Sequence, residues 1–218
     1  MIKSLQHFLY LLLLVSVAVT AWASDSGLRF AELLHESGML YEPPAGFSEV
    51  EQGVDLSFQS GKRLVSDDGQ LEIRYQLRPL GRIRVDYEDP HNSAPHPNDL
   101  FAMLFRSVAQ SLASGGIFNH RAYSVEQAQE FFNAGWAAFA IFDPHPSLST
   151  EYQHGMLLAI HRNDAADAYS LFLTNELDSS KQRIQGAMTA LRFDPDTDMV
   201  RLNQANPHQP EKRVIQLK

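Results

Sequence analysis

The first hydrophobic pattern in the chain is a block, not a periodicity. From Phe8 to Thr20 the chain is an almost continuous apolar run rich in Leu and Val, preceded by Lys3 and followed by Ala21-Trp22-Ala23. A cationic start, a short apolar stretch and small residues two positions apart are what a signal peptidase reads. A membrane-crossing helix needs ~20 apolar residues, more than this run supplies. Residues 1–23 are therefore expected to be a cleaved secretory leader. The mature chain would start at Ser24 in an extracytoplasmic compartment, periplasmic or secreted, with no membrane insertion after cleavage.

Beyond the leader the periods alternate between helical and extended. Leu28, Phe30, Leu33 and Leu34 recur near helical spacing, and Gly38 suits the stop. Tyr41-Glu42-Pro43-Pro44-Ala45-Gly46-Phe47 predicts a chain reversal, because proline lacks a donor and disfavours helix. Leu71, Ile73, Tyr75 and Leu77 alternate with Glu72, Arg74, Gln76 and Arg78, which is a strand with one dry and one wet face. Pro79-Leu80-Gly81 breaks it, and Ile83, Val85 and Tyr87 resume the alternation, so a β-hairpin is predicted over these two segments. The segment from Asp89 to Asn98 reads as a surface loop, with Asn98 or Asp99 capping a helix whose Leu100, Phe101, Leu104, Phe105, Val108 and Leu112 form the apolar stripe up to Gly115-Gly116.

Phe118 to Tyr123 predicts a short strand, and Ser124 with Gln127 a capping box opening a helix through Val125, Ala128 and Phe131. Trp136 to Phe142, Gly155 to His161 and Ala168 to Thr174 are apolar runs of strand length, continuous enough to imply central strands covered on both faces. Ser179 or Ser180 is expected to cap a last helix with Ile184, Ala187, Met188 and Leu191 on its buried face. From 194 onward the chain is polar and carries Pro195, Pro207 and Pro210, a tail closing on the edge-strand-like alternation Val214, Ile215, Leu217. The economical assembly is α+β: a central antiparallel sheet flanked by helices in a layered α/β/α sandwich, one domain over 24–193 followed by a tail over 194–218.

That element order, the opening Pro43-Pro44-Ala45-Gly46-Phe47 and the closing helix with Leu191-Arg192-Phe193 resemble the PsbP-like superfamily. The resemblance implies an exported or lumenal sandwich that acts as a non-enzymatic accessory protein docking on a larger assembly, some members being associated with metal ions.

The formal charge of −8 includes Lys3, so the chain without its leader is more acidic still, which excludes non-specific binding to nucleic acid or anionic lipid. With no cysteine, disulfide staples, thiolate zinc sites and thiol catalysis are all excluded. There is no Gly-x-Ser-x-Gly elbow, no His-Glu-x-x-His and no Gly-rich phosphate loop, so the usual hydrolase, kinase and zincin signals are missing. The most specific charge pattern is Arg74, Arg78, Arg82 and Arg84, which the predicted hairpin would gather into a patch for carboxylates on a partner.

His91 and His96 lie in one polar loop, and Asp143 and His145, with Glu151 and His154, in another. If the two loops met, His91, His96, Asp143 and His145 would offer four ligands of the kinds a divalent ion takes. The aromatic run Trp136, Phe139, Phe142 beside Gly135 reads as core before it reads as a pocket. The sequence thus points to a non-catalytic exported binding protein of the cell envelope that docks on another protein and needs no cofactor. The alternatives are a metal-binding protein or metal-dependent hydrolase using the His91–His96 loop, and a small-ligand carrier with a pocket between sheet and helix.

Overall fold

The computed structural model describes residues 29–51, 58–83, 85–86, 91 and 93–197. The expected leader, Arg84, Tyr87 and the tail from 198 onward lie outside them. The strands are β1 (Met39–Tyr41), β2 (Phe47–Glu49), β3 (Lys62–Ser66), β4 (Leu71–Pro79), β5 (Asn119–Ala122), β6 (Trp136–Phe142), β7 (His154–Arg162), β8 (Ala166–Thr174) and β9 (Leu191–Phe193). The helices are α1 over 29–36, α2 (Phe101–Leu112), α3 (Val125–Phe132) and α4 (Leu177–Met188). No helix among the described residues is long and apolar enough to cross a membrane.

Seven strands form one sheet in the order β2-β3-β4-β8-β7-β6-β5, with every pairing antiparallel, and β1 pairs with β9 in a separate ribbon. The helices divide between its faces, so the α+β layered sandwich is the observed fold. On one face Leu71, Ile73, Ile160 and Phe172 cluster with Phe30 of α1, Phe132 of α3 and Ile184 of α4. On the other, Ala140, Leu157, Leu171 and Leu173 cluster with Phe105, Ala109 and Leu112 of α2. Two-sided burial is why β7 and β8 read as continuous apolar runs: every residue of β8 is buried.

Local signals hold where the chemistry is local. Gly38 takes φ +59° after α1, and Gly115 and Gly116 take φ +63° and +69° after α2. Ser124 and Gln127 form the reciprocal capping box of α3.

The structure corrects the hairpin. The hairpin partner of β4 is β3 upstream, reached through the turn 67–70 with Gly69 at φ +70°. The opposite edge of β4 is occupied along its whole length by β8, from Leu71↔Thr174 to Pro79↔Ala166, so no edge is left for a strand after Pro79. The chain instead turns through a one-turn 3-10 helix, Leu80–Arg82. Consequently the supposed wet face is partly interior: Glu72 is 1% and Arg74 8% exposed.

Three boundaries also move. The turn Pro97–Asp99 is capped by the His96 side chain, and α2 starts at Phe101 without a side-chain cap. α4 begins at Leu177, ahead of Ser179, and Leu191 lies in β9 outside the helix. Directly after β9, Asp194 N–H donates to Gly38 O at 2.9 Å.

Candidate functional site

At the end of the sheet where β6 begins and β7 finishes, a single cross-strand row carries four side chains that sequence reading did not connect. Register pairs Arg78 with Asp167, Asp167 with His161, and His161 with Trp136, so neighbouring strands β4, β8, β7 and β6 each contribute one. Residues directly opposite on antiparallel strands have Cβ atoms ~5 Å apart, close enough for their side chains to bond. Arg78 Nη1 donates to Asp167 Oδ2 at 2.6 Å, and His161 Nδ1–H donates to Asp167 Oδ1 at 2.7 Å. His161 Nε2 lies 2.9 Å from the Asn163 carboxamide. Asp167 and His161 are buried, so the carboxylate meets the Arg78 guanidinium and the imidazole N–H in a low-dielectric setting. Burial, then the charge of Asp167, pushes the Tyr169 hydroxyl far above its usual range.

Helix α2 closes this row from above. Phe101 stacks on His161 with ring centroids 4.2 Å apart and 19° between planes, and is tilted against Trp136 at 4.9 Å. The imidazole is thereby fixed on both ring nitrogens and on one face. Beside it opens a cleft of about 450 Å³ with Phe101, Trp136, His161 and Asn163 in its wall, to which Gln129, Asn133 and Arg162 add polar groups. That volume lies within the range typical of small-molecule sites.

The sequence shapes this cleft through turn chemistry. Asn133 ends α3 in the left-handed region at φ +51° and its Nδ2 donates to Phe193 O at 3.0 Å. Gly135 N–H then bonds His161 O at 2.9 Å, which starts β6 in register. Asp164, at φ +60°, makes the β7–β8 turn and exchanges two 2.9 Å hydrogen bonds with the Asn98 carboxamide, fastening the loop before α2 to this end of the sheet.

Chemically, an Asp-held histidine is the arrangement of a general base. Here its Nε2 is engaged by Asn163, and no Ser, Thr, Lys or carboxylate is among the described residues lining the cleft.

The arginines expected to form one patch are dispersed. Arg74 is buried, with Nε 2.5 Å from Glu72 Oε1, and Arg63 shares the same carboxylate. Burial pushes Glu72 up, but the hydrogen bonds and charges of Arg63 and Arg74 outweigh it and hold the carboxyl below its usual value. Arg78 serves Asp167, and Arg82 lies off the sheet, bidentate on Glu36 at 2.5 and 2.9 Å. Arg84 lies outside the described residues.

The four metal candidates are not brought together. The His96 loop is fastened near Asp164 at one end of β7, while Asp143 and His145 precede the other end, a nine-residue strand away, or about 26–30 Å. His91 is exposed, His96 Nδ1 accepts from Asn98 N–H, and His145 Nδ1 accepts from Ser147 N–H. Asp143 lies 3.7 Å from His154. Among the described residues no group of three or more His, Asp or Glu is placed to share a metal ion.

No protein-family model and no curated protein matches the chain. Among solved structures it is similar to the solution structure of cyanobacterial PsbP (CyanoP) from Synechocystis sp. PCC 6803, at 11% identity and a TM-score of 0.39, covering 73% of this chain and 88% of that one. At that identity no residue role transfers.

Proposed function

We propose that this chain is an exported, non-catalytic binding domain whose ligand is received by the cleft between Trp136, Phe101 and the His161–Asn163 end of β7. The binding role is the one the sequence suggests, while its surface moves from the arginine cluster to the cleft, because Arg74, Arg78 and Arg82 each already hold a carboxylate. The observation that carries the reading is the row Arg78–Asp167–His161–Trp136, in which His161 and Trp136 line the cleft and Asp167 and Arg78 hold His161 from the neighbouring strands, leaving that wall little freedom to lose on binding. Export rests on the apolar leader and its Ala21-Trp22-Ala23 site.

Trp136 makes the test direct, since Trp22 is the only other tryptophan and Trp22→Phe leaves Trp136 as sole reporter however the leader is processed. A panel of small polar compounds is screened by Trp136 emission, and hits are mapped by amide chemical shifts. The expected result is ligands that move both the emission and the Gly135 and Asn163 amides. Hits that perturb only amides elsewhere, such as the Arg82–Glu36 surface, would overturn the cleft as the binding site.

A further inference from the structure

Resting on that reading, we infer that the cleft takes an acidic sugar, with its carboxylate on Arg162, its hydroxyls on the carboxamides of Gln129, Asn133 and Asn163, and a ring face against Trp136. Arg162 differs from Arg63, Arg74, Arg78, Arg82, Arg183 and Arg192, each of which has a carboxylate within ion-pair distance. Its one side-chain hydrogen bond within the described residues runs from Nη1 to Asp194 O at 2.8 Å, and its guanidinium lies 6.0 Å from the centre of the Phe193 ring. A guanidinium carries five N–H donors, and this half-buried cation lines the cleft with only one of them bonded to Asp194 O among the described residues. The nearby Asp194 carboxylate feels the Arg162 charge but takes its hydrogen bonds elsewhere: Oδ1 accepts from Asp196 N–H and Oδ2 from the Thr197 hydroxyl.

The three carboxamides supply the rest. Asn133 uses its Nδ2 on Phe193 O, leaving Oδ1 as an acceptor, and Asn163 uses Oδ1 on His161, leaving Nδ2 as a donor. Gln129 has both ends of its carboxamide without a hydrogen bond among the described residues. Donors and acceptors alternating in this way match hydroxyl groups, which are both at once. Simple aromatic acids would leave them unmatched, and a neutral sugar would leave the remaining Arg162 N–H groups without a charged acceptor. An indole face beside such amides suits the apolar face of a pyranose ring.

The test titrates the Trp22→Phe chain with glucuronate, glucose and benzoate, reading Trp136 emission together with the Gly135 and Asn163 amides and the Arg162 Nε–H resonance. Glucuronate is expected to bind at the cleft about tenfold more tightly than either competitor, the size of one charge-assisted contact. Arg162→Gln should remove the preference for glucuronate over glucose in a chain whose amide spectrum remains that of the folded domain. If glucose equals glucuronate, or benzoate exceeds it, with shifts still at Gly135 and Asn163, the sugar-acid assignment is overturned and the cleft stands. If none of the three, nor any compound of the wider panel, perturbs the cleft residues, both fall.

Discussion

His161 and Asp167 face each other across the β7–β8 turn, six positions apart in the chain, and share a 2.7 Å hydrogen bond in the interior with Arg78 on the second carboxylate oxygen. A buried carboxylate is stable only while its guanidinium and imidazole partners hold it, and removing its charge strands the Arg78 cation. Asp167→Asn is therefore expected to cost ~3–5 kcal/mol in urea unfolding. Arg78→Ala should cost less, because that side chain is 34% exposed and water partly replaces it. Equal, small effects from both would mean that the row is solvated and not structural.

Gly155 pairs with Phe142 across β6 and β7, and a methyl group added there would lie 2.5 Å from the ring. The ring is itself core, so it has little room to retreat. Gly155→Ala should lose ~1–3 kcal/mol, and Phe142→Leu in the same chain should recover part of that loss. A neutral Gly155→Ala would show that β6 shifts freely against β7.

Truncation should rank the two core layers by burial. Ile160, 3% exposed, is expected to lose ~2–5 kcal/mol on change to Ala. Leu104 and Met188 are half-buried, and each should lose about 1–2 kcal/mol. Chemical denaturation of the three variants checks the order, and a larger loss at Leu104 than at Ile160 would contradict the packing.

Asp68 sits in the β3–β4 turn, where hydrogen bonds from the Ser66 hydroxyl, Gln70 N–H and Arg183 lower its carboxyl from 3.8 to about 2. A carboxyl depressed on folding stabilises fully above its unfolded value and loses that contribution as pH falls through the folded one. The melting temperature of the parent should therefore exceed that of Asp68→Asn at pH 7, and the gap should close between pH 4 and pH 2. A gap that persists unchanged at pH 2 would show that Asp68 acts through shape and not charge.

Helix and strand identity were legible wherever one face or one terminus decides them. The stripe from Phe101 to Leu112, the Ser124–Gln127 box and the run from Trp136 to Phe142 needed only neighbouring residues. The hairpin after β4 was misread because alternation at Ile83 and Val85 matches a strand but says nothing about whether an edge is vacant, and β8 had already filled it. The cleft left one usable signal, a His and an Asp placed symmetrically about Asp164 at the ends of two apolar runs, which a hairpin reading would have set opposite each other.

The sequence by itself determined an α+β chain with its helix stops, its buried central strands and its freedom from thiol chemistry, because these follow from period, glycine and composition. Only the tertiary structure decided which charges are paired and which are open. Arg74, Arg78 and Arg162 are the same residue type in similar strands. Glu72 lies two positions from Arg74 on the same strand, where burial closes the pair together with Arg63, while strand order placed Asp167 against Arg78 and left a backbone carbonyl, a ring and a cleft beside Arg162. Pairing across a sheet joins residues dozens of positions apart, Arg78 and Asp167 by 89, and no local rule reaches that far.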